Sequence, residues 1–151
     1  MTNEMIGQFR RQLMKCGDLS TADKILAAAY YKFKPKHPNP WLIFYRAVQV
    51  AKPLVQLKTI RVGRSSVAMP VVIHERQQPM MAIRWLVQEA RTRSDKAAMV
   101  DKLVAELSDA ALYTRGGAVQ RKIRLHQLAT RNLGNIRTKF KPDGQFSNRR
   151  G

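Results

Sequence analysis

The chain has 151 residues, of which 44% are hydrophobic, so it is long enough and apolar enough for one domain with a buried core. Its formal net charge of +18 argues against a protein that is basic only for solubility, because solubility needs a modest charge, and it favours a polyanionic partner. Cys16 is the single cysteine, which excludes an internal disulfide and a cysteine zinc site, and no apolar run approaches the roughly 20 residues of a membrane span.

Three helices are predicted in the first third of the chain. The first covers Met5 to Lys15 and stops at Gly17. The second opens with a capping box over residues 20–23, Ser-Thr-Ala-Asp, and runs to about Phe33. The third starts at residues 39–40, where Asn-Pro places proline at the first helical position. It is apolar on most sides, so we expect it to be central.

A two-stranded ribbon is predicted next, over about residues 54–75. β-branched residues dominate there, and residues 63–66, Gly-Arg-Ser-Ser, supply the turn. Pro70 restricts its strand to an edge, which a two-stranded ribbon allows. Because an isolated hairpin is marginal in water, we expect this arm to lie on something else. Strand alternation places Lys58 and Arg61 on opposite faces.

Helical patterns return for the rest of the chain. A fourth helix is predicted from Gln78, a fifth from near Ser94, and a sixth after residues 116–117, Gly-Gly, continuing past Asn135. The predicted fold class is mainly α: a six-helix bundle with a protruding two-stranded β-hairpin between helices 3 and 4. Residues 1–138 are expected to form one helical domain that carries the hairpin, and residues 139–151 a loose basic tail.

Catalytic chemistry has no candidate in this sequence. The histidines at 37, 74 and 126 lack metal-ligand spacing, and no phosphate loop of the GxxxxGK[ST] type is present. No group with a nearby partner for acid–base chemistry can be nominated. We therefore predict no enzyme activity, no cofactor and no metal.

The charge pattern favours nucleic acid instead. Residues 24–74 and 110–142 contain no acidic residue, as expected of a surface that follows phosphates. Three basic patches stand out, each with a solvated surface as the alternative interpretation: on the ribbon Lys58, Arg61 and Arg64; on the fourth helix Arg84, Arg91 and Arg93; on the sixth Arg121, Lys122, Arg124 and Arg131. Trp85 is expected to pack in the core rather than stack on a base.

The order of several motifs resembles the universal small-subunit ribosomal protein family number seven. The motifs are Ser20-Thr21-Ala22, Arg61-Val62-Gly63, Pro70, Ala82-Ile83-Arg84-Trp85, Ala90-Arg91 with Arg93, Leu107-Ser108-Asp109-Ala110, Gly117-Ala118-Val119, and His126, Ala129 and Asn132. No single motif suffices, but their order over residues 9–140 makes the match specific.

The resemblance implies a structural protein that binds the 3′ major (head) domain of small-subunit rRNA and nucleates head assembly. Its place would be beside the mRNA exit channel and the tRNA exit site, next to other head and platform proteins. Gly63, Arg64 and Ser65 would face exit-site tRNA and mRNA. The predicted RNA-binding side chains are Arg10, Arg11, Lys58, Arg61, Arg64, Arg76, Arg84, Arg91, Arg93, Arg115, Arg121, Lys122, Arg124 and Arg131.

The sequence departs from the family pattern at the ribbon, at the N-terminus and before the fourth helix. Arg64 replaces a glycine typical of the turn, and Ala68 stands where an aromatic residue is usual. The basic arm that precedes the first helix in bacterial members is expected to be absent or replaced by another protein. Residues 76–78, Arg-Gln-Gln, resemble mitochondrially encoded members, so a mitochondrial ribosome is expected, with bacterial cytoplasm or plastid as the alternative.

Two other functions stay open at this stage. A DNA-binding regulator would need a recognition helix, and the polar stripe from Gln120 to Asn135 is the only candidate. An RNA-processing enzyme would need a catalytic site that the sequence does not offer.

Overall fold

The computed structural model describes residues 3–62, 64–94 and 96–139, and it is mainly helical. The seven described helices are α1 (Asn3–Leu13), α2 (Leu19–Phe33), α3 (Pro40–Ala51), α4 (Gln77–Thr92), α5 (Met99–Tyr113), α6 (Gly117–Arg131) and α7 (Gly134–Lys139). Strands β1 (Val55–Val62) and β2 (Ser65–Val72) form an antiparallel ribbon between α3 and α4. The predicted fold class is confirmed, with one short helix more than expected.

Helix α3 is the centre of the bundle, as its apolar sequence predicts. It contacts α2, α4, α5 and α6. Phe44 is fully buried and meets the ring of Phe9 edge-on at 5.5 Å between centroids and that of Phe33 at 6.0 Å. Such edge-to-face pairs stabilise the fold beyond what the burial of their apolar surface contributes. Pro40 occupies the first helical turn as predicted, although Asn39 makes no side-chain cap.

Two helix starts differ from their predictions. The cap of α2 is Asp18, whose carboxylate accepts a hydrogen bond from the Thr21 amide at 3.0 Å, so the predicted capping box at Ser20 is wrong. The Thr21 hydroxyl also donates to Asp18, and these bonds lower the pKa of that carboxyl. Helix α5 begins at Met99, five residues later than predicted from Ser94.

The ribbon is regular, with one-to-one pairing from Val55 with Val72 to Val62 with Ser65. Side chains alternate between the two faces along a strand, and β1 has no bulge. Lys58 and Arg61, which are three residues apart, therefore lie on opposite faces. The ribbon lies against α6 and α7, so part of its support comes from the protein itself.

The last helical segment is divided. Helix α6 ends at Arg131, and the Asn132 amide hydrogen-bonds to the carbonyls of Leu128 and Ala129 at 3.1 Å. A separate helix, α7, then follows from Gly134, where one continuous helix was predicted. The predicted basic tail lies beyond the described residues, apart from the backbone of Lys139.

Candidate nucleic-acid interface

The elements that carry the predicted RNA-binding side chains are neighbours in space. Helix α1 contacts α4, α4 contacts α6, and α6 contacts both strands of the ribbon. The fold thus brings together four elements that are spread over residues 3–131 of the sequence. Their cations fall into two groups, those that contact the protein and those that do not.

The ribbon carries cations of the second group. Lys58, Arg61 and Arg64 are exposed, and none makes a side-chain ion pair or hydrogen bond with the described part of the chain. Gly63, predicted at the tip, lies outside the described residues, whereas Ser65 is exposed. Because Lys58 and Arg61 face opposite ways, a single flat ligand cannot contact both, but a groove or junction of RNA can.

Helix α4 presents one cation outward and uses another to hold α1. Arg84 is exposed and has no partner among residues 3–62, 64–94 and 96–139. Arg91 donates through Nη2 to the carbonyl oxygens of Gln12 (2.8 Å) and Leu13 (3.0 Å). These carbonyls end α1, where a positive charge is favourable. Arg76, just before α4, is also exposed.

Arg93 has a structural contact that the sequence did not reveal. Its guanidinium donates to Glu106 Oε2 at 3.0 and 3.2 Å and to Asp109. Burial acts to lower the pKa of Arg93, but the hydrogen bond to Asp109 and the charge of Glu106 outweigh it and raise the pKa. Glu106 is 1% exposed, and its Oε1 accepts from the Ala118 amide at 3.0 Å. One carboxylate therefore joins the end of α4 to the start of α6.

Helix α6 divides its cations in the same way. Arg121 lies over the ring of Trp85, 5.2 Å from the centroid, and donates to Gln88 at 2.9 Å. Trp85 is 6% exposed, which confirms its place in the core. Arg124 and Arg131 are exposed, without a partner in the described part of the chain.

A positively charged corner forms where α6 meets the base of the ribbon. Lys122 donates to the Val50 carbonyl at 2.7 Å, and burial together with nearby Lys52 lowers its pKa. Burial, followed by the charge of Lys122, also lowers the pKa of His126. The neutral His126 Nε2 accepts from the Leu54 amide at 3.2 Å. Burial is the larger cause of both shifts, and the neighbouring cation adds to it in each case.

Two predicted cations of the remaining elements are occupied by protein. Arg10 pairs with Asp23 on α2 at 2.8 Å, and Arg115 lies 5.0 Å from the Tyr113 ring centroid. Arg11, beside the first of these, is exposed without such a contact in the described ranges.

The polar stripe that a DNA-reading helix would use is interrupted. It was predicted from Gln120 to Asn135 on one helix, but α6 stops at Arg131. The side-chain Nδ2 of Asn135 instead donates to the Ala68 carbonyl of β2 at 2.8 Å, and this hydrogen bond joins α7 to the ribbon.

Neither a metal site nor a helix that could span a membrane occurs among the described residues. Across residues 3–62, 64–94 and 96–139, no group of three His, Cys, Asp or Glu side chains could hold a metal ion. None of the helices described combines the length and apolar character needed to cross a bilayer. A helical bundle with a basic ribbon and cations left without a described protein partner on adjoining elements is typical of structural proteins that bind nucleic acid.

Comparison with known proteins identifies the family within that class. The family model for ribosomal protein S7p/S5e matches residues 1–132. The small ribosomal subunit protein uS7 of Rickettsia typhi is 34% identical over 129 residues, 85% of this chain and 79% of that protein. The uS7 proteins of Solibacter usitatus and Xanthomonas oryzae are each 35% identical, covering 85% and 86% of this chain and 81% and 83% of their own lengths. The chain belongs to the ribosomal protein S7p/S5e family, whose members are structural components of the ribosome and not enzymes.

Three side chains near the interface were missed by the sequence interpretation. Lys52 lies beside Lys122, and Gln8 and Gln49 line a groove with Lys52 and Arg76. Lys52 belongs to an acid-free block, so its charge could have drawn attention. Neither glutamine could have been identified from its neighbours in the sequence, because the groove forms only when α1 packs near the end of α3.

Proposed function

We propose that this protein is a structural constituent of the small ribosomal subunit that binds the 3′ major domain of its rRNA and nucleates assembly of the head. The observation that carries the proposal is the set of unpaired, exposed cations on adjoining elements: Arg11, Lys58, Arg61, Arg64, Arg76, Arg84, Arg124 and Arg131. A guanidinium or ammonium without a protein partner is available to phosphate, and each contact releases counterions.

The remaining predicted cations have a different part in this proposal. Arg93 and Arg10 hold helices together through carboxylates, and Arg91 holds the end of α1. Arg91 and Arg121 are nevertheless exposed, and a guanidinium has five donors, so both can contact RNA while they keep their protein bonds. Arg93 is the member of the set that we assign to the fold.

RNA would be recognised by shape and backbone rather than by sequence in a groove. The deep major groove of an RNA helix excludes side chains, so cations on two faces of a ribbon suit a junction between helices. The ribbon tip, with Arg64 and Ser65, would approach mRNA and exit-site tRNA, and neighbouring proteins of the head and platform would contact other faces.

The proposed subtype rests on residues 76–78, Arg-Gln-Gln, which resemble mitochondrially encoded members and favour a mitochondrial ribosome. The relatives compared above are bacterial, and a bacterial or plastid ribosome would use the same surface. Sedimentation of the tagged protein with small subunits from purified mitochondria supports the mitochondrial assignment, and its recovery only with cytoplasmic ribosomes contradicts it.

The function is tested by binding to a fluorescent rRNA fragment of the 3′ major domain, measured between 50 and 200 mM salt. With Lys58, Arg61 and Arg64 changed to Ala, we expect weaker binding and a log–log salt slope that is shallower by about 2 to 3, because each lost phosphate contact contributes roughly 0.7 to 0.9. A control with the same charge change is Lys24, Lys34 and Lys36 to Ala; these side chains are exposed on α2 and the turn after it.

The control variant should keep nearly the whole affinity of the original protein. Equal affinity for the rRNA fragment and for an unrelated RNA of the same length would contradict specific recognition. An equal loss in the ribbon and control variants would mean that only net charge matters.

A further inference from the structure

An aromatic face on α2, α3 and α5 has no part in the surface described so far. It consists of four side chains that are 41% to 64% exposed: Tyr31, Leu42, Tyr45 and Leu112. The half-buried Trp41 supports them, since its ring centroid lies 5.0 Å from that of Tyr30, which meets Tyr31 edge-on at 5.8 Å. Large side chains that would normally be buried are therefore left open to solvent on neighbouring helices.

Two adjoining grooves lie in this aromatic face. The first, of about 440 Å³, runs between α1 and α3, and Ile6, Trp41 and Tyr45 are in its lining. The second, of about 140 Å³, runs between α3 and the end of α5, and Leu112 is in its lining. Leu42 lines both grooves and so separates them. Exposed apolar surface that is gathered in grooves marks a site of interaction, because binding removes it from water.

The composition of the aromatic face favours a protein partner over RNA. Tyrosine and tryptophan are enriched where proteins bind each other, because they supply a large contact area at a low cost in conformational entropy. Bases can also stack on exposed rings, but Leu42 and Leu112 are aliphatic and offer a base neither a ring nor a hydrogen bond. Helices α2, α3 and α5 also carry none of the unpaired cations that we assign to RNA.

The charges around the aromatic face define the chemistry of the partner. The side chains of Lys36 and Arg46 are exposed and have no partner in the described part of the chain, and that of Lys34 contacts only an aromatic ring there. The carboxylates of α5 are already paired, with Lys32 or Arg93. Residues 24–74 contain no acidic residue. A partner that brings its own carboxylates is therefore complementary to this face.

We propose that the aromatic face binds an acidic amphipathic segment of another protein. Apolar side chains of that segment fill the grooves on either side of Leu42, and its carboxylates pair with Lys34, Lys36 and Arg46. Such a segment presents its apolar anchors three or four residues apart, as helices bound in grooves do. The proposal goes beyond the binding of RNA, because it gives a partner to helices that the RNA-binding surface does not use.

Zero-length crosslinking tests the proposed ion pairs, because a carbodiimide joins a lysine amine to a carboxylate only where the two are in contact. The tagged chain is crosslinked in gently lysed source cells, purified under denaturing conditions and mapped by mass spectrometry. We expect Lys34 or Lys36 to be joined to Asp or Glu of another protein, in a segment that also carries apolar residues. The ion pair between Lys32 and Asp101 should give an internal link in every sample, which is the positive control.

A synthetic peptide of the linked segment is then titrated with the purified full chain and followed by fluorescence anisotropy. Leu42→Ser and Arg46→Glu should each weaken binding by about tenfold, as expected for residues at the centre of an interface. Both positions are exposed, so both variants should fold, which circular dichroism checks. Lys96→Glu, at an exposed position before the start of α5, has the same charge change as Arg46→Glu and should keep the affinity. A peptide whose carboxylates are changed to Lys should bind Arg46→Glu more tightly than the original protein.

Three results overturn the proposal. Ultraviolet crosslinks between rRNA and the peptide that carries Tyr45 would mean that RNA occupies the face. No link from Lys34 or Lys36 to another protein, while the internal link is present, would mean that the face has no acidic partner. A linked segment whose binding ignores Leu42→Ser and Arg46→Glu would mean that the grooves are not used. The proposed function is judged separately by the ribbon variant and the rRNA fragment, because the ribbon cations lie on other elements.

Discussion

Glu106 should be the side chain whose removal destabilises this protein most among its carboxylates. It is 1% exposed, it pairs with Arg93, and it accepts the hydrogen bond of the Ala118 amide at the start of α6. Removing one member of a buried ion pair costs about 3 to 5 kcal/mol, because the other charge loses its partner. Total stabilities are about 5 to 15 kcal/mol, so this loss is a large fraction.

Two features of the site set the expected value for Glu106→Ala at the lower end of that range. Arg93 is 24% exposed, and it keeps Asp109 when Glu106 is lost, so its charge is not left unpaired. Against this, the Ala118 amide loses its acceptor, which costs about 0.5 to 2 kcal/mol at a helix start. We expect a loss of about 3 kcal/mol for Glu106→Ala and about 1 to 2 kcal/mol for Glu106→Gln, which keeps an acceptor.

Urea unfolding followed by circular dichroism measures both losses, and hydrogen exchange of the Ala118 amide reports the local contact. Glu4→Ala, at an exposed carboxylate, is the control and should change the free energy of unfolding by less than about 0.5 kcal/mol. A double-mutant cycle with Arg93→Met isolates the pair. A loss below about 1 kcal/mol for Glu106→Ala, or no coupling in the cycle, would refute the structural role assigned to Arg93.

Three further outcomes are expected. Gly117→Ala should lower the free energy of unfolding by about 1 to 3 kcal/mol in urea titrations, because its new Cβ would lie 2.6 to 2.9 Å from side-chain atoms of Glu89; Gly134→Ala, with open space around it, should not. Burial holds the pKa of His126 below its ordinary value of about 6.5, so the ring is neutral above that pH and can accept the hydrogen bond of the Leu54 amide. Protonation at lower pH removes this bond, which NMR titration should show. His126→Gln should remove the pH dependence. Arg84→Ala should make the salt slope of rRNA binding shallower by about 0.7 to 0.9 without changing unfolding, and an unchanged slope would exclude a phosphate contact at that position.

The sequence predicted the elements better than their ends. The apolar periodicity of α3 and α4 identified the central helix and the buried side of the fourth, because burial dictates those patterns over several turns. Helix starts depend on one hydrogen bond, and two residues often compete for it. Asp18 takes the cap of α2 from Ser20 because its carboxylate reaches the Thr21 amide. At α5, Ser94 is a good local cap, yet the helix begins at Met99.

The candidate site was predictable as charge and not as contact. Nothing local in the sequence separates Arg84 from Arg93, since both are exposed-looking cations in or just after the fourth helix. Only the fold shows that Arg93 meets carboxylates 13 and 16 residues further along the chain. The motifs that carry the family resemblance include both members of the Arg93–Asp109 pair and Gly117, so part of that pattern reflects packing between α4, α5 and α6. Sequence resemblance alone therefore overstates the number of cations free for RNA.

The ribbon is best understood as supported at one end and available at the other. A two-stranded sheet is marginal by itself, and here His126 on α6 holds its base while Asn135 on α7 bonds to the Ala68 carbonyl of β2. Beyond those contacts Arg61 and Arg64 remain exposed, with no partner in the described chain. The protein thus fixes the direction of the ribbon by itself. For the proposed binding of RNA, this support means that less conformational entropy would be lost than for an unsupported arm, and the cations nearest the tip would be the ones available to phosphates.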